Sequence, residues 1–173
     1  FKKVPEDFWI VGVRSKADSP DKYDDKFYLY RGETFYKVTT GTTNPGLSIL
    51  KGGFKDYNNQ GAAVVKADEW YYDVWSPGKH RGKIKALRQA GNITIYRDGD
   101  MDSKSEEIGP SEKGNYYGIN FHPATYKLAG LVRISLGNWS AGCQVCNNDT
   151  DYEYIIDIIG TQSKVSYCLL NEF

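Results

Sequence analysis

Phe27-Tyr28-Leu29-Tyr30-Arg31-Gly32-Glu33-Thr34-Phe35-Tyr36-Lys37-Val38-Thr39 decides how the chain is read. Two runs rich in aromatic and β-branched residues flank a break that contains glycine. That pattern predicts a β-hairpin. The same signature recurs on both sides. Phe8-Trp9-Ile10-Val11-Gly12-Val13-Arg14 reads as a first strand, Ala62-Ala63-Val64-Val65 as a short one, and Ile93-Thr94-Ile95-Tyr96 as another. Val165-Ser166-Tyr167-Cys168-Leu169-Leu170 reads as the last. Residues 69–75 are aromatic-rich and read as a strand or an irregular cover. Residues 116–121 predict a strand leading into His122, and residues 131–136 one leading into the cysteine turn. Helical signals are few. Residues 83–89 fit a short helix, and residues 151–160 place Tyr154, Ile155, Ile158 and Ile159 on one face at 3.6-residue spacing. Turn-forming residues mark loops at 15–25, 40–46, 47–60, 77–82 and 97–114. The expected class is mainly β with one or two short helices.

Composition agrees. Among 173 residues there are 14 tyrosines and 18 glycines but a single methionine, which favours β structure over helix bundles. The 22 basic residues are balanced by 22 acidic ones, whereas a nucleic-acid module normally carries a basic surplus. No apolar run approaches the roughly 20 residues of a membrane span. With no repeat, linker or low-complexity tract, residues 1–173 read as one domain. The first residue is Phe1 rather than Met, which reads as a processed or trimmed product.

Chemistry concentrates at Gly137-Asn138-Trp139-Ser140-Ala141-Gly142-Cys143-Gln144-Val145-Cys146. Small residues before Cys143 let another chain approach the backbone and let successive N–H groups converge on one spot, as an oxyanion needs. A thiol attacks as its thiolate, which a neighbouring imidazole can generate. His122 is the candidate partner. Strand alternation puts it with Tyr116, Gly118 and Asn120 on a polar face, opposite Tyr117, Ile119 and Phe121. His80, in a basic turn rich in glycine, reads as exposed and unconnected to Cys143. Two rival readings use the same residues. Cys143 and Cys146 form a Cys-X-X-Cys, a redox pair in other settings. Cys143, Cys146, Cys168 and His122 together match the ligand count of structural zinc. Three cysteines make a poor disulfide framework. Asp98, Asp100 and Asp102 follow positions 1, 3 and 5 of a calcium loop, but Ser103 and Gly109 stand where Gly and Glu belong.

Ser140-Ala141-Gly142-Cys143 with His122 upstream resembles the catalytic motif of the L,D-transpeptidase family. Residues 27–33, followed by Thr39-Thr40-Gly41-Thr42-Thr43-Asn44-Pro45-Gly46, are similar to that family's opening hairpin and its loop near the active site. The resemblance implies a β-sandwich-like fold and a peptidoglycan stem peptide as substrate, with no cofactor and no metal. It casts Cys143 as nucleophile, His122 as base and then acid, and the backbone of Gly142 and Cys143 as oxyanion donors. Ser140 matches the motif's hydroxyl residue. Trp139, Asn120, Tyr117, Thr43 and Asn44 are the expected substrate contacts. It further implies an extracytoplasmic or phage-delivered protein, transferring or hydrolysing the acyl group. Two positions depart from the pattern: Ala141 replaces the motif's second histidine, and Val145-Cys146 replaces its polar residue. The alternative is a non-catalytic module with an inert or zinc-holding cysteine turn.

Overall fold

A computed structural model describes residues 3–53, 56, 58–136 and 140–172. Eleven strands are assigned among them. β1 (Phe8–Arg14), β2 (Asp25–Arg31) and β3 (Thr34–Thr42) form an antiparallel meander. β4 (Ala62–Val65), β7 (Ile93–Asp98) and β8 (Glu112–Gly114) make a small separate sheet. β5 (Glu69–His80), β6 (Ile84–Gln89), β9 (Phe121–Pro123), β10 (Gln144–Cys146) and β11 (Val165–Asn171) complete a closed barrel, ordered β1-β11-β5-β6-β9-β10-β3-β2. A helical turn at Ile49–Gly53 and the helix α1 (Asp149–Ile159) supply the helical content.

The mainly β expectation holds, but the strands close on themselves instead of stacking as a sandwich. Closure comes from β1, which pairs antiparallel with β2 and parallel with β11. No edge is left on that side. Alternation along the strands explains the filling. Phe27 and Leu29 of β2 point inward with Ile10 of β1, and Lys26, Tyr28 and Tyr30 do not. Trp75, Phe121, Tyr152 and Tyr167 make the aromatic centre, with Trp75 and Tyr167 ring centroids 4.6 Å apart.

Four element expectations change. Residues 83–89 are strand β6, because Pro77 to His80 pairs with Ile84 to Leu87 across a tight turn. Arg81 and Gly82 take φ of 49° and 72° at the centre of a turn that the Lys83 N–H closes onto the His80 carbonyl at 3.0 Å, the sign that a primed turn requires. The strand predicted over 116–121 shrinks to Phe121–Pro123. Residues 131–136 make a single bridge, between Val132 and Asn148, and Ile134 is 91% exposed. In α1 the buried face is Tyr152, Ile155, Ile156 and Ile159, while Tyr154 faces outward. Asn148 caps this helix by accepting from the Asp151 N–H at 3.1 Å, so the helix starts two residues before the predicted point.

Candidate active site

The site lies where the short parallel strands β9 and β10 begin. Their register sets Gln144 beside Phe121 and Val145 beside His122. Cys143, one residue before β10, therefore falls next to Asn120. The Asn120 N–H points at Cys143 Sγ at 3.5 Å, and the Gln144 N–H donates to the Asn120 carbonyl at 2.9 Å. The thiol itself donates to the Gly118 carbonyl at 3.3 Å.

The turn holding Cys143 is braced from three directions. Ser140 Oγ donates to the Cys143 carbonyl at 3.0 Å and accepts the Gly142 N–H at 3.1 Å. The Ala63 N–H of β4 donates to the Ala141 carbonyl, and the Gly46 N–H to the Ser140 carbonyl. Gly142 has φ of 133°, and a Cβ there would overlap the Ala63 carbonyl oxygen, so glycine is required on both counts. Tyr167 donates to Gln144 Oε1 at 2.6 Å, tying the turn to the barrel centre.

His122 is fully buried, not directed away from the core as strand alternation predicted. The irregular path before Phe121 breaks that alternation. His122 Nδ1 lies 2.8 Å from the Pro123 carbonyl. A carbonyl only accepts, so Nδ1 carries the proton and Nε2 keeps its lone pair. That buried Nε2 has no hydrogen-bond partner among the described residues.

The second histidine is the main correction. His80, expected to be exposed and remote, is buried at the end of β5 and stacks on His122 with ring centroids 4.0 Å apart. One ring nitrogen from each histidine and Cys143 Sγ lie within 4.8 Å of one another. Asn120 organises the group. Its Oδ1 accepts the Gln89 N–H at 2.9 Å, which turns its amide nitrogen toward His80 Nδ1 at 3.0 Å. His80 Nδ1 then accepts and Nε2 bears the proton. The one sequence signal for His80 was that the chain has only two histidines; its partner strand gave none.

Burial sets the protonation states. It pushes the Cys143 thiol up to about 11, against the opposing pull of the Asn120 N–H and the Arg81 charge. It drives His122 down to about 3, helped by His80 and Arg81 and resisted by the Pro123 carbonyl. His80 falls to about 4 through burial and then Arg81. The resting group is a neutral thiol beside two neutral imidazoles.

Cys143 opens on a pocket of about 270 Å³ whose wall includes Tyr117, Gly118, Asn120, Arg81 and Arg97. Of the expected substrate contacts, Tyr117 and Asn120 lie on this wall. Trp139 falls outside the described residues. Thr43 and Asn44 are fully buried behind the turn. Thr43 bonds Asp25 through both N–H and hydroxyl, and Asn44 donates to Asp18 at 2.6 Å. Their loop braces the cysteine turn and does not rim the pocket. The Gly142 N–H, an expected oxyanion donor, is occupied by Ser140, which makes Ser140 a staple of the turn.

No disulfide joins the three cysteines. Cys146 is buried in the main core against Thr39 Oγ1 at 3.4 Å, and Cys168 is buried on β11, so neither the redox pair nor the four-ligand zinc set is assembled. His80, His122 and Cys143 are instead the donor set capable of holding a zinc-type ion. In the acidic loop Asp100 and Asp102 cluster with Glu106, while Asp98 turns away to accept the Glu106 N–H at 2.9 Å. Among the described residues no helix is long and apolar enough to cross a membrane. Comparison with protein-family models, curated proteins and solved structures finds no match to this chain.

Proposed function

We propose that this chain is a cysteine-dependent acyl transferase or hydrolase acting on peptidoglycan stem peptides, in the manner of the L,D-transpeptidases that its motifs resemble. The observation that carries the reading is the His122 imidazole. Its Nδ1 is locked onto the Pro123 carbonyl, its buried Nε2 has no hydrogen-bond partner among the described residues, and one of its ring nitrogens lies within 4.8 Å of Cys143 Sγ. That is the arrangement of a base held in the correct tautomer beside a nucleophile.

In this scheme Cys143 Sγ bonds to the carbonyl carbon of the acyl donor as its proton passes to His122 Nε2. The Asn120 N–H, already aimed at the sulfur, and the Cys143 N–H serve as donors to the developing oxyanion. The carbon–nitrogen bond then breaks, and the departing amine takes the proton from His122. Water or a second amine attacks the thioester, gives its proton to His122, and releases Cys143 as the thiol. His80 places in this cluster the second imidazole that the family motif carries where Ala141 stands here.

The test is digestion of purified sacculi. Cys143→Ala is expected to fold with an unchanged circular dichroism spectrum and to lose all release or cross-linking of muropeptides. Full activity in Cys143→Ala would end the proposal. Chelation is a second check. Activity abolished by a chelator and restored by Zn²⁺ would replace the thiol nucleophile with a metal-activated water.

A further inference from the structure

We infer that the pocket beside Cys143 is an anion subsite in which Arg81 and Arg97 receive the carboxylate of an acidic acyl donor. The inference rests on the nucleophile assigned under Proposed function and adds the charge of the group it acts on. The described pocket wall contains two guanidinium groups and no carboxylate. Arg81 is exposed on the β5–β6 turn and makes no ion pair among the described residues. It shares the pocket wall with Cys143 and His80.

Arg97 reaches the pocket from β7. Its side chain is 17% exposed, and its guanidinium lies 5.4 Å from the centre of the Tyr117 ring. Arg97 Nε ion-pairs with Glu112 Oε1 at 3.5 Å, and one terminal guanidinium nitrogen donates to the Gly61 carbonyl at 3.5 Å. Tyr117 also packs against Tyr116, with ring centroids 4.7 Å apart. Arg81 thus brings to the pocket a positive charge that no carboxylate among the described residues neutralises, and Arg97 adds a second guanidinium to the same wall. Guanidinium forks match a carboxylate in shape and charge. At about 270 Å³ the pocket is smaller than most small-molecule sites, so it suits one residue of a peptide. With Cys143 on the same wall, the carboxylate belongs to the residue that bears the scissile carbonyl or to its neighbour.

A matched pair of alkylating agents tests this on the intact chain. Iodoacetate and iodoacetamide both form a thioether at sulfur and expel iodide, and they differ in one negative charge. Rates at Cys143 would be followed at pH 9 by peptide mapping, with glutathione as a thiol that has no pocket. The ratio of iodoacetate rate to iodoacetamide rate is expected to exceed the glutathione ratio on the order of tenfold. It should fall severalfold in Arg81→Gln and in Arg97→Gln, reverse in Arg81→Glu, and collapse in 1 M salt, where charges more than about 3 Å apart are screened. Arg81 is exposed, so its variants keep the test valid should Arg97→Gln disturb folding. A wild-type ratio no higher than that of glutathione, or one unmoved by the Arg81 variants, overturns the anion subsite and leaves the nucleophile standing. Failure of both reagents to label Cys143 overturns the acyl-transfer reading and the subsite with it.

Discussion

At the scale of the residue, the unusual property of Cys143 is that its partners are neutral. Burial raises the thiol to about 11 and lowers His122 to about 3, so a preformed thiolate–imidazolium pair is not the resting state. The sign of the pH dependence follows. The thiolate fraction grows tenfold per pH unit until the pH reaches the thiol's own value. Alkylation of Cys143 by iodoacetamide should therefore climb with a slope near one from pH 7 to pH 10. A plateau beginning near pH 6 would show an ion pair and refute this account. His80 belongs to the same scale. It touches His122 by stacking and Asn120 by one hydrogen bond, so it positions the base. His80→Ala is expected to lower turnover of sacculi by up to about 100-fold, mainly in kcat, through misplacement of the base. His122→Ala should cost roughly 100- to 10,000-fold through loss of proton transfer. Equal losses in the two variants would make His80 a proton carrier in its own right.

At the scale of the element, the cysteine turn is held by the strand it leans on. β4 contributes one hydrogen bond to Ala141 and leaves no room for a Cβ at position 142. Gly142→Ala forces both an unfavourable φ and a steric overlap. It is expected to destabilise the protein by about 1–3 kcal/mol, read from the urea midpoint, and to slow labelling of Cys143. An unchanged midpoint would mean that the turn and β4 do not meet. The β5–β6 hairpin is the other element that matters. The sequence predicts a turn and a helix there because Pro77-Gly78 and Gly82 are turn residues by composition and Lys83 to Gln89 contains good helix formers. Tertiary pairing overrode both. Pro77 and Gly78 pair with Leu87 and Ala86 inside a long strand, and the turn itself is confined to Arg81, Gly82 and Lys83. That displacement brings His80 into the site.

At the scale of the whole molecule, the barrel centre and the site are mechanically joined. Trp75 is fully buried, packs on Phe121 and Tyr167, and donates from its indole N–H to the Ile119 carbonyl at 2.9 Å. Ile119 immediately precedes Asn120, the residue that contacts both His80 and Cys143. Trp75→Ala should therefore cost about 3–5 kcal/mol in stability and also depress Cys143 reactivity in the fraction that stays folded. A stability loss below 1 kcal/mol would show that the centre is not packed as described. The sequence by itself determined the strands rich in aromatic and β-branched residues, β1, β2, β3, β4, β7 and β11, the helix at 149–159 to within two residues, and the likeness of Ser140 to Cys143 with His122 to a nucleophile motif. These are local properties, set by periodicity and turn chemistry within a few residues. Only the tertiary structure decided that the strands close into a barrel, that Thr43 and Asn44 brace the turn, and that His80 stacks on His122. Those outcomes depend on pairings such as β1 with β11 and β9 with β10. Such pairings join residues distant in the chain through backbone hydrogen bonds, which carry no side-chain signature.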